Sequence, residues 1–330
     1  MSDTKLVMGA SGFLGSHVTR KLVARGDRVR AWVRESSSTV GFDDLDVERH
    51  HGDLGDEAAL RVAMKDVDTV FYCIVDARAW LRDPAPLFAT NVEALRGVLA
   101  AAVEVGVPRF VFCSSVVTIG TSESGPADET TPHDWRHLGG PYVEARIQAE
   151  ELVLRHHREH GLPAVVLNVA TTYGPRDHGP TPHGKLVRAA ARGRMPAYVK
   201  GVSMEVVGIE DAADAFLLAE EHGRPGERYI VSERFLPIKE LFDIAAEEGG
   251  ARRPLLGIPL PAMRVLGAGG GRVARILRRD SVVTPTSVRL MHTQTALDHS
   301  KASRELGWSP APVEDSVRAG VRWFLDAQQA

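Results

Sequence analysis

Apolar residues follow two alternating rhythms through the first half of the chain. Lys5–Met8, Arg28–Val33, Val47–His51, Thr69–Val75, Arg109–Ser114 and Ala164–Asn168 are short apolar runs with the length of buried strands. Leu14–Arg25, Pro86–Val105 and Pro141–His160 repeat their apolar positions at helical spacing instead. Strands and helices in alternation predict a parallel sheet joined by crossover helices. Beyond Pro175 the pattern changes: Gly/Pro-rich loops at 175–184, 249–261 and 267–271 separate helices, and few strands are expected. Two stretches, Met204–Ile209 and Glu227–Val231, have the character of strands returning to the sheet.

These rhythms predict a Rossmann-type, doubly wound α/β fold with a smaller, mostly helical C-terminal lobe for substrate. Residues 1–175, with 204–231 returning, would form the dinucleotide domain; 176–203 and 232–330 would form the lobe. The first strand-to-helix junction carries the relevant chemistry. Gly9-Ala-Ser-Gly12-Phe-Leu-Gly15 places glycines where a tight turn, a close approach to pyrophosphate and helix-to-strand packing need them. Phosphates would then meet free amides at the positive end of the helix.

At 330 residues and 44% hydrophobic composition the chain can bury a large core. Cys73 and Cys113 fall in apolar strand-like runs, which suits buried thiols rather than a disulfide or ligands. The first strand begins at once, and no apolar run approaches bilayer-spanning length, so a cytoplasmic protein without membrane insertion is expected. The net charge of −3 conceals an asymmetry: residues 251–330 carry 12 Lys and Arg against 6 Asp and Glu. Arg272, Arg275, Arg278 and Arg279 concentrate that charge beside Val273, Ile276 and Leu277, as a solvated basic face or one meeting lipid or a greasy substrate. Basic residues without interleaved aromatics give no sign of nucleic-acid binding. His156 and His160 share a helix face, but His-His-Arg-Glu-His lacks a zincin's glutamate placement, so no metal is expected.

Tyr142-Val-Glu-Ala-Arg146 is the most telling stretch. An i, i+4 pair stacks a phenol and a cation on one helix face, where the cation favours the phenolate. With Gly9–Gly15, Gly52-Asp53-Leu54, Asn91, Phe112-Cys-Ser-Ser115, Gln148-Ala-Glu150, Tyr173-Gly-Pro-Arg-Asp177, Glu210-Asp211 and Ser300–Trp308, it forms an ordered series along nearly the whole chain. That series resembles the extended short-chain dehydrogenase/reductases of the NAD-dependent epimerase/dehydratase superfamily, in their dihydroflavonol-reductase-like and hopanoid-associated epimerase-like branch. Arg146 stands where the resemblance calls for lysine. It keeps the charge but cannot release a proton.

The resemblance implies that Tyr142 is the general acid in ketone reduction, that Ser115 holds the carbonyl oxygen, and that Arg146 reaches the nicotinamide ribose. Ser114 is locally an equal candidate, and alignment on Gly120 selects Ser115. Asn91 would fix a helix or a relay water. Cofactor contacts are implied from Gly9, Ser11, Gly12, Phe13, Leu14 and Gly15 in the first turn. Others would come from Arg34, from Asp53 and Leu54 beside adenine, and from Ile74 and Val75. Cys113, Tyr142, Arg146, Val169, Thr171 and Thr172 complete the set. Arg34, followed by Glu35 and three serines, ends the second strand where NAD-binding units place an acid, so NADP(H) is expected ahead of NAD(H). Asp53 could instead cap the next helix.

Two departures stand beside Arg146: Tyr72-Cys-Ile-Val75 is bulkier than the usual His-Leu-Ala-Ala, and Asn168-Val169 lacks the usual proline. His133, His137, His178 and His183 lie in loops that the family arranges around substrate. The leading expectation is an NADP(H)-dependent oxidoreductase for a hydrophobic ketone or secondary alcohol. A nucleotide-sugar epimerase or dehydratase, with Arg176, Lys185, Arg188 and Arg192 as diphosphate cations, is the alternative. A cofactor-binding sensor or scaffold with weak catalysis is a third. The partner is a small molecule in the first two cases, with a homodimer left open. The substrate is expected between the sheet and segments Pro175–Tyr198 and Pro259–Ile276, at the carboxyl ends of the strands.

Overall fold

Alternation within the strands builds a two-faced sheet. Leu6, Met8, Val70, Tyr72, Phe110 and Phe112 point into one apolar layer, while Val7, Phe71, Val111 and Cys113 point into the other. The computed structural model describes residues 3–81, 83–263, 293 and 295–327. Its central sheet has seven strands: β1 (Thr4–Met8), β2 (Arg28–Val33), β3 (Glu48–His51), β4 (Thr69–Tyr72), β5 (Phe110–Ser115), β6 (Ala164–Val169) and β10 (Arg228–Val231). Their order is β10-β6-β5-β4-β1-β2-β3, with every pairing parallel.

Helices cover both faces, as the sequence rhythms predict. Helix α1 (Phe13–Arg25) and α7 (Ile209–His222) close one layer. On the other lie α2 (Glu57–Met64), α4 (Ala94–Val105) and α5 (Arg136–His160). A short α3 (Ala85–Phe88) and a π-turn (Ala89–Glu93) lead into α4. Together they make a 21-residue helical run, Ala85–Val105, long and apolar enough to cross a membrane by length and composition. The expectation that no such run exists is corrected here. Leu95, Val98 and Leu99 of that run are fully buried against the sheet, which accounts for its apolar character without a membrane.

Among the described residues five strands lie beyond Pro175, more than expected, and one just before it pairs with them. Three strands, β11 (Arg234–Pro237), β9 (Ser203–Gly208) and β7 (Thr171–Tyr173), form a second sheet, and β12 (Leu256–Ile258) pairs with β8 (Ala197–Val199). The return of 204–209 to the main sheet is therefore corrected: β9 pairs with β7 and β11, and Ile209 already starts α7. Only β10 joins the main sheet, beside β6. Around the second sheet, α6 (Pro182–Ala191), α8 (Ile238–Glu248) and α10 (Val313–Asp326) enclose a separate core with Phe242, Val317 and Val321. The expected lobe boundary also differs at its end. Ala302 and Leu306 of α9 (Ser300–Leu306), with Trp308, pack into the dinucleotide-domain layer, because Trp308 donates its indole N–H to Asp211 O of α7 at 2.8 Å. Gly267–Gly271, the four arginines at 272–279 and all but the start of Pro259–Ile276 lie outside the described residues.

Candidate active site

The strand order reverses direction between β1 and β4, and that switch point is where an open α/β sheet leaves a crevice at its carboxyl edge. The glycine turn fills it. Gly9 has φ +90°, a conformation that disfavours a side chain, and its carbonyl accepts the Gly12 N–H at 2.9 Å. A Cβ on Gly15 would lie 2.1 Å from Gly9 O, and one on Gly9 would lie 3.0 Å from Cys73 C. The turn is therefore closed on strand and helix at once. No side chain caps Gly12, and no acid stands in the first turn of α1, so its amides stay open to an anion. That cradle fits a dinucleotide pyrophosphate, with exposed Ser11 and half-buried Phe13 and Leu14 around it.

The remaining candidates for the cofactor ring the same edge. Ile74 packs 3.1 Å from the Cβ position of Gly9, and Val75 follows it, half-buried. The strand of that region ends at Tyr72, earlier than expected, which leaves Cys73–Val75 as loop. Arg34 sits exposed just past β2, and Ser37 N–H returns to its carbonyl at 2.9 Å. Glu35 turns toward His51 Nδ1 at 3.5 Å. Among the described residues no carboxylate pairs with Arg34. Asp53 is exposed, and its Oδ1 accepts the Gly55 N–H at 2.8 Å; the cap of α2 is Asp56, not Asp53. Leu54 is half-buried beside it. Val169 pairs with Ser115 in register, and Thr171 and Thr172 continue into β7.

Strand alternation separates the two serines at the end of β5. Ser114 Oγ donates to buried Glu150 at 2.5 Å, whereas Ser115 faces the other way, toward the Tyr142 phenol, and its Oγ accepts the Val117 N–H at 3.4 Å. Tyr142 owes its position to a break in α5: Gly140 is non-helical at φ 68°, and Pro141 begins the helix proper. The phenol lies in the first turn, at the positive end of the helix. Burial pushes its pKa up, while the Arg146 charge and the nearby Ser115 hydroxyl pull against that rise. The expected lowering by Arg146 is thus outweighed by the burial of a residue that stays half-exposed overall.

Arg146 is fully buried beside the end of β5. Only 1% exposed, its guanidinium donates from Nη2 to Cys113 O and lies 5.5 Å over the Phe112 ring, while Nε has no partner. It is packed against β5. No carboxylate pairs with it among the described residues. Phe112 in turn stacks on Tyr72 at 5.8 Å, whose buried hydroxyl also lacks a partner. The bulk of Tyr72 and the reach of arginine thus meet in one layer.

Residues 5–232 match the model of the NAD dependent epimerase/dehydratase family. The chain belongs to that family. It is therefore an NAD(P)-dependent enzyme of the dehydrogenase, reductase and epimerase kind. It is 32% identical over 326 residues to sterol demethylase protein B of Methylococcus capsulatus, covering 98% of each chain. To a putative dihydroflavonol 4-reductase of Synechocystis sp. it is 30% identical over 329 residues, covering 98% of this chain and 95% of the other. The crystal structure of gox2253 superposes with a TM-score of 0.88 at 35% identity, covering 99% of both chains.

Several ties around the site escaped the sequence reading. Asn91 clamps the loop after β4 from both sides, its Oδ1 accepting Asp76 N–H and its Nδ2 donating to Asp76 O, each at 2.9 Å. That is a backbone clamp in place of the expected helix or water contact. His17, one turn beyond the glycines, is buried with Nδ1 2.8 Å from Glu210 and Nε2 3.1 Å from Pro175 O. It fastens α1 to the Tyr173–Asp177 segment. Of the four histidines expected in loops, His137 and His183 lie at the starts of α5 and α6; His133 stacks on Trp135 at 4.9 Å, His178 and His183 meet Trp323 and Tyr173 edge-on, and His137 is exposed. A small cavity beside Ser115 is lined by Val116, Ile119, Trp135 and Leu297, with Thr121, Glu205 and Thr295 as its polar members.

Proposed function

We propose that this chain is an NADP(H)-dependent oxidoreductase that interconverts a ketone and a secondary alcohol on a hydrophobic small molecule. The observation that carries this reading is that Ser115, at the end of β5, and the Tyr142 phenol come together at the carboxyl edge of the sheet, next to the glycine cradle. When bound, the nicotinamide supplies or accepts the hydride. Ser115 Oγ donates to the carbonyl oxygen and holds it, and the Tyr142 hydroxyl gives that oxygen its proton in reduction. The raised phenol pKa keeps this proton in place at neutral pH. Arg146 stabilises the tyrosinate left behind, and with no proton of its own to give, water returns one to Tyr142.

Two features support the finer assignments. Unpaired Arg34 with Ser36 and Ser37 beside it suits a 2′-phosphate, which favours NADP(H). The sterol and flavonol named for the two relatives favour a fused-ring ketone. A nucleotide-sugar reading draws on Arg188, Arg192 and Arg194, which crowd one another on and after α6; burial and the two neighbours hold Arg192 below its ordinary pKa. The test is oxidation of NADPH and NADH by the purified chain with cholestanone and dihydroquercetin, beside product analysis with UDP-glucose. Turnover of either ketone with NADPH is the expected result. Conversion of UDP-glucose alone would replace this reading with the epimerase one, and cofactor binding without any turnover would favour a sensor.

A further inference from the structure

We infer that Glu150 is a positioning residue that, through Thr118, fixes the backbone of Ser115 to the helix carrying Tyr142. The inference rests on the reading that Ser115 and Tyr142 act on a carbonyl. Tyr142, Arg146 and Glu150 follow one another at i, i+4 and i+8, so they line one face of α5. Glu150 is only 4% exposed, yet it touches no expected cofactor or substrate atom. Its Oε2 accepts from Ser114 Oγ at 2.5 Å, Thr118 Oγ1 at 2.9 Å and Asn168 Nδ2 at 2.6 Å; its Oε1 accepts from Arg228 Nη1 at 2.8 Å.

All four neighbours arrive as donors. Only an acceptor on both oxygens satisfies them, and an amide would turn its own N–H groups against a donor. Thr118 is the link to the site. Its Oγ1 lies 2.8 Å from Ser115 O as well as 2.9 Å from Glu150, so its single proton is shared between the two, and Asn168 Nδ2 donates back to it at 2.8 Å. Strand β5, the turn after it, β6 and α5 are thereby joined at one buried carboxylate. A network of this kind admits one arrangement when fully satisfied. Ser115 Oγ is held in register with the Tyr142 hydroxyl by a group two helical turns away from it.

The test compares Thr118→Val, Thr118→Ser and Glu150→Gln with wild type, each in the Ser115 and Ser115→Ala backgrounds. Turnover of cholestanone with NADPH, its KM, the NADPH Kd and thermal unfolding are measured for each. Misplacing a reacting group by a fraction of an ångström lowers kcat, so Thr118→Val is expected to cost about tenfold to a hundredfold in kcat with KM and NADPH Kd within about twofold. Thr118→Ser, which keeps the hydroxyl, restores most of that loss. In the Ser115→Ala background neither Thr118→Val nor Glu150→Gln costs more, because the residue they position is gone. The inference is overturned if folded Thr118→Val keeps wild-type kcat while Ser115→Ala loses it, or if Thr118→Val costs as much again in Ser115→Ala. If Thr118→Val does not fold, Glu150→Gln takes its place in both backgrounds, and either of those two results overturns the inference in the same way. A Ser115→Ala enzyme as fast as wild type would instead remove the carbonyl reading, and this inference with it.

Discussion

Replacing Arg146 by methionine removes a buried charge and keeps much of its volume, and the structure decides the sign of the outcome. Taking a guanidinium out of water without a carboxylate partner costs several kcal/mol. The unpartnered Nε adds about 1–3 kcal/mol. Against this stand the charge-assisted hydrogen bond to Cys113 O, about 1.5–3 kcal/mol, and the contact with the Phe112 ring, about 0.5–2 kcal/mol. Methionine recovers apolar packing in the layer of Tyr72 and Phe112. The balance favours Arg146→Met by about 1–3 kcal/mol, a rise in Tm of a few degrees for the cofactor-free chain. Turnover should move the opposite way, falling at least about tenfold, since the charge that draws the Tyr142 pKa down is lost. Thermal unfolding followed by circular dichroism, paired with NADPH oxidation, reads both. A fall in Tm by several degrees would show that the guanidinium is a net structural tie and refute the reasoning.

The cradle and the cofactor assignment carry their own tests. Arg34→Ala should weaken NADP(H) binding roughly tenfold to a hundredfold and leave NAD(H) unchanged in fluorescence titrations; equal losses for both would reject the phosphate role. Gly15→Ala drives a Cβ against Gly9 O, so NADPH affinity should fall at least about tenfold and stability by about 1–3 kcal/mol; unchanged binding would mean the turn is not the cradle. Burial lifts the Glu205 carboxyl to about 7, above its ordinary value, so the folded chain retains a proton that the unfolded chain releases. Stability from this acid is full below the usual carboxylate range and is lost as pH rises toward 7, by roughly 3 kcal/mol. Glu205→Gln should therefore lose less stability than wild type in urea unfolding between about pH 5 and pH 7.5; parallel pH curves would count against it.

The dinucleotide domain was legible because its strands are long enough to show their apolar runs and its helices long enough to show their period. Gly9, Gly12 and Gly15 announce the cradle by spacing alone. The smaller sheets were not legible: β8, β12 and β7 have three residues each, too few to display alternation, and β7 and β9 are distant in the chain. Alternation along β5 does separate Ser114 from Ser115, and helical spacing does place Tyr142, Arg146 and Glu150 on one face. Spacing gives a face but not a depth. That Arg146 packs against the Phe112 ring of β5, itself stacked on Tyr72 of β4, and that Tyr142 packs among Val117, Trp135 and Leu87, depends on residues distant in the chain. The clamp of Asn91 on Asp76 and the tie of His17 to Glu210 likewise join positions that no local pattern connects.

The central claim is that Tyr142 delivers the proton in a hydride-transfer reaction, and Tyr142→Phe tests it most directly. A general acid contributes about a hundredfold to ten-thousandfold, so the variant should reduce cholestanone or dihydroquercetin slower than wild type by that factor while binding NADPH with unchanged Kd. A Tyr142→Phe enzyme that oxidises NADPH with either ketone as fast as wild type would contradict the account.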